Sequence, residues 1–416
     1  MTLMSDVPVE QIKLSDPELW TAPDEVRDAV FTKLRAESPI SFQAEYEYEN
    51  MPVGPGYWAL TRHHDIWMVS RNPDLFCSGR GANIGDMPIE IAEFFGSMIN
   101  MDAPRHTRLR MIVQKAFTPK VVAAIEEDVR RKAKAIVDEH AEKGEGDFVQ
   151  LFASPLPLQI ICEMMGIPRE QWSTVFDATN TILGLGDPEY ATDMNMLMTA
   201  AMSLYQMAIE FGEQRLKNPT EDLTTALMHA EVDGERLTTQ ELGSFFILLV
   251  AAGNETTRNA ISHGMKLLTD HPEQRALWLE DFAGHAPGAV EEIVRYATPV
   301  IHFRRTATRD TELSGVKIAE GQKVVLWYVS GNRDETVFPN PFEFDITRPN
   351  LKDQMGFGAG GPHYCLGANL ARREMTMMFD ELLHRLPDLE VTGPPAMLQS
   401  AFIHGIKRMP CAWTPA

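Results

Sequence analysis

Cysteine is scarce in this chain: four in 416 residues, at Cys77, Cys162, Cys365 and Cys411, with no C-x-x-C pair. That excludes a zinc ribbon and a thioredoxin-like site and argues against a disulfide scaffold. It fits a reducing, cytoplasmic compartment. Positive charge is also short, since 38 Lys and Arg against 59 Asp and Glu leave a net charge of −21. A field of that sign does not draw in nucleic acid or an anionic membrane through bulk charge, local basic faces aside. Long hydrophobic runs are missing: the most apolar, Phe245–Ala252, falls far short of the ~20 residues that cross a bilayer. Met1–Trp20 carries Asp6, Glu10, Asp16 and Glu18 and lacks the apolar core of a signal peptide. No low-complexity linker, fixed-period repeat or visible boundary interrupts the sequence. Residues 1–416 therefore read as one domain, although the length would allow two or three.

What the chain does have is helical periodicity. Val121, Ile125, Val129 and Ile136 recur on one side of Lys120–His140 with charges opposite, the pattern of an amphipathic helix. Asp193–Leu216 is likewise helical and rich in methionine. The longest helix starts with a capping box, Thr238-Thr239-Gln240-Glu241, in which hydroxyl and carboxylate each satisfy a backbone N–H. Its pattern runs to about Asp270 and stops before His271-Pro272, because the residue before a proline disfavours helix. About 30 residues at ~1.5 Å each make a rod of roughly 45 Å. Phe245–Ala252 is apolar on every side, so the middle of the rod is expected to be buried. Strands are few: Tyr57–Thr61, a hairpin of Glu312–Val316 with Lys317–Ile318 around Gly315, and Lys323–Tyr328. Pro341–Arg348 reads as a meandering loop. The class is mainly α with small β-sheets.

Chemistry concentrates in Gly356–Ala371, Gly-Phe-Gly-Ala-Gly-Gly-Pro-His-Tyr-Cys-Leu-Gly-Ala-Asn-Leu-Ala. Four glycines in six positions precede Cys365, and a helix follows, marked by Leu370, Met377, Met378, Leu382 and Leu386. Glycine lets a backbone pass close to a flat partner. A cysteine at a helix N-terminus has its thiolate stabilised by the dipole and by free N–H groups, and such a thiolate suits an axial metal ligand. A structural turn with an inert cysteine shares this pattern. A phosphate loop is a weaker reading, because no Gly-Lys-Ser/Thr follows.

The segment resembles the haem-binding loop of cytochrome P450 monooxygenases. Phe357, His363, Cys365 and Gly367 match the family's Phe, the basic residue two before the cysteine, the cysteine itself and the Gly two after it. Phe357 lies eight residues ahead of Cys365, where most of the family has seven. That longer loop is similar to the one in actinobacterial sterol and branched-lipid hydroxylases. The resemblance implies a triangular prism of helices around a buried haem b, with Cys365 as the iron ligand. Glu292-Ile-Val-Arg295 together with Arg348 resembles the family's buried structural triad. Alone, such an i,i+3 pair decorates many exposed helices; in a triad, loss of one member leaves a buried charge and costs roughly 3–5 kcal/mol. Glu255-Thr256, in the middle of the long helix, resembles the acid–alcohol step that delivers protons for oxygen activation, an assistance worth about 10²–10⁴ in rate. Without the resemblance, a Thr bonded to its i−4 carbonyl is ordinary. Donors for the haem propionates would be His106 and Arg110, Arg305, and His363, since Arg–carboxylate bonding is charge-assisted and directional.

The sequence holds no flavin or ferredoxin module, so the resemblance implies electrons from a ferredoxin and an NAD(P)H-dependent reductase. Arg105, Arg108, Arg130, Arg131, Lys132, Arg372 and Arg373 would form a basic docking face, or equally an ordinary solvated surface. A substrate cavity would draw on Ile84, Met87, Ile89 and Met98 ahead of His106, and on Leu185. The long helix would add Leu249, Val250 and Gly253. Val300, Ile301 and Phe303, with Phe402 and Ile403 near the end, would complete it. Apolar side chains suit a greasy ligand and suit a core equally well. Phe246–Ala260 and Ser400–Lys407 resemble mycobacterial ω-hydroxylases of methyl-branched lipids and, next, steroid side-chain hydroxylases. The implied reaction is hydroxylation of a terminal methyl on a branched fatty acid, isoprenoid or sterol side chain. Two other readings remain: a peroxide-driven haem enzyme, against which the Glu255-Thr256 pair speaks, and a non-enzymatic haem or lipid-binding protein.

Overall fold

Helix signals that are local in the sequence set the frame of the molecule. The computed structural model describes residues 7–47, 53–114, 125–232 and 234–415. The principal helices are α1 (Asp24–Glu37), α2 (Ile89–Gly96), α3 (Arg105–Val113), α4 (Glu126–His140), α5 (Pro155–Met165), α6 (Trp172–Leu183), α7 (Met194–Lys217), α8 (Thr239–Asp270), α9 (Phe282–Ala297) and α10 (Ala368–Arg385). In α8 the Glu241 N–H donates to the Thr238 hydroxyl at 3.1 Å, and the Thr238 N–H donates to the Glu241 carboxylate at 2.9 Å. This satisfies two donors that a bare helix start would leave open. The helix stops at His271, whose φ of −124° and ψ of 69° fit a residue ahead of proline. Helix α7 is capped by Asp193, which accepts from the N–H groups of Asn195 at 2.8 Å and Met196 at 3.0 Å. The helix expected from Lys120 is observed from Glu126; residues 115–124 lie outside the described part.

Helix α8 is the axis of the largest core. Phe245, Phe246, Ile247, Val250, Ile261, Met265 and Leu268 are buried in it among residues of α4, α5, α7, α9 and α10. Each such side chain contributes about 1.5–3 kcal/mol by leaving water.

The main sheet has five strands, β1 (Ile40–Gln43), β2 (Tyr57–Leu60), β3 (Phe76–Cys77), β4 (His302–Ala307) and β5 (Lys323–Trp327), in the order β1-β2-β5-β4-β3. Strand β5 runs parallel to β2 and antiparallel to β4, with Phe303 opposite Leu326 and Arg305 opposite Val324. Phe303 and Arg305 therefore share one face of β4, because side chains alternate along a strand. The expected hairpin is present but shifted. Its strands are Thr311–Leu313 and Val316–Ile318, because Ser314 and Gly315, at φ 46° and 84°, form the two-residue turn. Residues 341–348 form neither helix nor strand. Among the described residues no helix is long and apolar enough to cross a membrane.

Candidate functional site

The cysteine loop is folded back on itself and pressed against its neighbours. The Cys365 N–H donates to the Phe357 carbonyl at 3.0 Å, closing the turn. The Phe357 ring lies beneath the Arg372 guanidinium, 4.4 Å from ring centre to Cζ. Gly361 has φ +80°, and a Cβ there would lie 2.3 Å from the Ser70 carbonyl oxygen, so only glycine fits. A Cβ on Gly367 would point into open space. Cys365 sits deep in the mass of the protein yet presents accessible surface. Burial pushes its thiol up, while the N–H groups of Gly367 and Ala368 at the start of α10 and the guanidiniums of Arg110 and Arg372 pull it down.

Four donors gather around this loop from three places in the chain. His106 and Arg110 lie one turn apart on α3. The His106 and His363 rings stand 4.3 Å apart. Arg110 Nη2 donates to the Tyr364 carbonyl at 2.7 Å and Arg305 Nη1 to the Arg304 carbonyl at 2.7 Å. Burial, then Arg305, His106 and Arg110, hold the His363 imidazole down to about 2. Burial likewise pushes His106 and Arg305 down. Asp102, whose charge acts on His106 and Arg305, accepts from the N–H groups of Ser78 and Gly79, both at 2.8 Å. Among the described residues none of the four donors has an ion-pair partner, and the buried Nε2 of His106 has no hydrogen bond. Two guanidiniums without an ion-pair partner and two imidazoles beside a thiol suit a ligand that carries carboxylates. That matches a haem bound through Cys365 with its propionates at His106, Arg110, Arg305 and His363. No group of three or more His, Cys, Asp or Glu able to hold a bare metal ion occurs among the described residues.

A largely apolar cavity of about 330 Å³ shares strand β4 with this cluster. Continuity is given by the chain itself: Ile99 and Asn100 line the cavity just before α3, and Phe303 lines it two residues before Arg305. Of the expected lining, Ile84, Met87, Leu185, Val300, Phe303, Phe402 and Ile403 are in the wall, and so is Thr256. Six expectations are corrected. Ile89 is exposed at the start of α2. Met98, Leu249 and Val250 are packed in the main core, and Ile301 in the core beside Trp327. Gly253 faces Ile161, where a Cβ would stand 3.2 Å from Cδ1. The face of α8 that meets the cavity carries Leu248, Ala251, Ala252 and Thr256. These positions follow i, i+3, i+4, i+8. Leu248, Ala251, Ala252 and Thr256 form one stripe of the helix; Val250 and Gly253 lie off it, and Leu249, at its edge, is packed into the core. Phe95, Ile182 and Leu197 also line the cavity, as does His302, whose ring bonds to the Ala401 carbonyl at 3.0 Å. They come from separate helices and a strand, and nothing local in the sequence marks them.

The acid and the alcohol of α8 diverge. Thr256 Oγ1 donates to the Ala252 carbonyl at 2.8 Å on the cavity side. Glu255 is 1% exposed and is paired with Arg258, with Asn259 Nδ2 donating to it at 3.2 Å. Its Oε2 has no partner. Glu255 is not part of the cavity wall; its carboxylate is engaged by Arg258 and Asn259 instead.

Glu292, Arg295 and Arg348 meet in the interior. Arg295 holds Glu292 through Nε at 2.7 Å and Nη2 at 2.8 Å, with both side chains 0% exposed. Arg348 Nε approaches Glu292 Oε1 at 3.4 Å. The remaining guanidinium donors tie down the 341–348 segment: Arg295 Nη1 to the Pro341 carbonyl at 2.9 Å and Arg348 Nη2 to the Glu343 carbonyl at 2.8 Å. The seven cations of the candidate basic face are ion-paired. Arg105 pairs with Glu93, Arg130 with Asp380, Lys132 with Glu163 and Arg373 with Glu126, at 2.6–3.0 Å. Arg108 pairs with Glu241, Arg131 with Asp128 and Arg372 with Glu291. The acid excess of the chain has supplied each of these seven cations with a carboxylate.

A family model, Cytochrome P450, matches residues 287–399. The chain is 52% identical to a methyl-branched lipid omega-hydroxylase of Mycobacterium tuberculosis over 412 residues, 98% of this chain and 96% of that protein. It is 41% identical to a steroid C26-monooxygenase of Rhodococcus jostii, covering 96% of this chain and 84% of that protein. Among solved structures, a Mycobacterium marinum cytochrome P450 in complex with pseudoionone superposes with a TM-score of 0.91 at 42% identity, covering 98% of this chain and 99% of that one. Identity of this degree over nearly the whole length, joined to superposition of the entire fold, means that the chain belongs to the cytochrome P450 family of haem-thiolate monooxygenases.

Proposed function

We propose that this P450 hydroxylates the terminal methyl group of methyl-branched lipids, as one cytoplasmic domain that takes electrons from a ferredoxin and its NAD(P)H-dependent reductase. The observation that carries the reading is the apolar cavity with Thr256 in its wall, joined through β4 and α3 to the unpaired donors around Cys365. Haem b, when bound, supplies the dioxygen activation. Cys365 holds it through sulfur, with the α10 N–H groups tempering the thiolate. His106, Arg110, Arg305 and His363 bind its carboxylates. The Thr256 hydroxyl holds a proton at Oγ1 on the cavity side and passes it inward when its bond to the Ala252 carbonyl lets go. Leu248, Val300, Phe303 and Phe402 exclude water and present the end of an alkyl chain to Thr256.

The 52% identity to a branched-lipid ω-hydroxylase, against 41% to a steroid C26-monooxygenase, favours branched chains over sterols. The test is a titration of the ferric holoprotein with phytanol, hexadecan-1-ol and cholest-4-en-3-one, followed at the Soret band, with products of turnover read by mass spectrometry. The largest low-to-high-spin shift is expected with phytanol, with a terminal diol as product. A shift with the steroid alone moves the assignment to sterol side chains. No shift in a thiolate-ligated protein overturns the lipid class.

A further inference from the structure

One part of the cavity wall is built of charge, and the charges cancel in a particular way. Glu45, Asp86 and the Ile84 backbone line it. Behind them Lys323, with a side chain 3% exposed, donates to Glu45 Oε1 at 2.6 Å and to the Ile84 carbonyl at 2.9 Å, and stands 2.6 Å from Asp86 Oδ2. An ammonium has three N–H donors, and all three are committed. Arg304, equally buried, gives Nη1 to Asp86 at 2.7 Å and Nη2 to the Arg80 carbonyl at 2.9 Å. Two buried cations are thus consumed by two carboxylates. Only the acids reach the cavity, with Asp86 45% exposed on its side chain. No Lys or Arg lines the cavity among the described residues.

We infer that the cavity selects lipids with an uncharged, hydroxyl-bearing head and discriminates against free carboxylic acids. This rests on the reading above, which sets the methyl end of the chain at Thr256 and so leaves the head at Glu45 and Asp86. A hydroxyl donates to a carboxylate oxygen that still has a free lone pair. A carboxylate head brings a third negative charge against two others, in a site where both cations are already spent. Within the branched-lipid class this favours the alcohols, whose chains can be identical to those of the acids.

The experiment compares phytanol with phytanic acid by spin-state titration of the ferric holoprotein at pH 8, in the wild type and in Asp86→Asn. Phytanol is expected to bind at least tenfold more tightly than the acid. In Asp86→Asn the ratio of the two Kd values is expected to collapse toward one or invert, because Lys323 and Arg304 each lose a partner and can receive the acid. Glu45→Gln, which frees one Lys323 donor, is the second variant should Asp86→Asn fail to hold haem. Equal affinity of the wild type for alcohol and acid, or tighter binding of the acid, overturns the headgroup inference and leaves the branched-lipid reading intact. A ratio that neither variant moves assigns the preference to some other feature and also overturns it. If neither compound shifts the spin state, the branched-lipid reading itself fails, and this inference with it.

Discussion

Glu374, on α10 nine residues beyond the cysteine, is a carboxyl whose burial is not compensated by any opposite charge. It is 3% exposed, Oε2 has no partner, and burial alone pushes its carboxyl from 4.5 up to about 8. The sign follows from comparing folded and unfolded chains. Below 4.5 both hold the proton. Between 4.5 and about 8 the unfolded chain has released it while the fold retains it, so stability falls as pH rises through this window. At pH 7 the gap is 2.5 pH units at about 1.4 kcal/mol each, or roughly 3 kcal/mol. With an unfolding entropy of about 2.1 cal/mol/K per residue, a chain of 416 residues moves by ~1 °C per kcal/mol, so the effect is about 3 °C. Glu374→Gln removes the titration while keeping the shape. Calorimetric melting of the holoprotein and the variant at pH 5 and pH 8 isolates this term, because any fixed cost of the amide cancels in the difference. The wild type is expected to lose about 3 °C more than the variant between the two pH values. A difference between the two proteins that does not change with pH would refute the argument that this carboxyl is held neutral by burial.

Cys365→Ala is expected to abolish the red-shifted carbon monoxide band of thiolate-ligated haem; persistence of that band would remove the sulfur from its assigned role. Thr256→Ala should leave substrate-induced spin shifts in place while NAD(P)H consumption becomes uncoupled from product, with product formation falling by about 10²–10⁴; unchanged coupling counts against a proton at Oγ1. Glu292→Gln breaks the paired contacts to Arg295 and leaves two interior guanidiniums short of charge, so unfolding in urea should show a loss of about 3–5 kcal/mol. A loss under 1 kcal/mol would mean the carbonyls of 339–343 hold both arginines unaided.

Signals contained within a few residues were legible in the sequence. The Thr238–Glu241 cap, the stop at His271-Pro272, the Asp193 start of α7 and the glycine loop ahead of Cys365 each depend on backbone groups of their own neighbourhood, and those groups are present whatever the rest of the chain does. Family resemblance then tied the loop, the Glu-x-x-Arg pair and Glu255-Thr256 to one fold. What the tertiary structure alone decided is which partner each side chain meets. Leu249 and Val250 are as apolar as Leu248, yet a rotation of α8 by one residue sends them to the core and Leu248 to the cavity. Seven cations that looked like a docking face each found a carboxylate, some of them hundreds of residues away, as Arg130 and Asp380 did. Glu255 turned to Arg258 instead of the cavity. Lys323 became a saturated ion beneath Glu45 and Asp86, 278 residues from the former. Charge and hydrophobicity are properties of a residue, but neutralisation and orientation are properties of a pair, and pairs so distant in sequence exist only once the chain has folded.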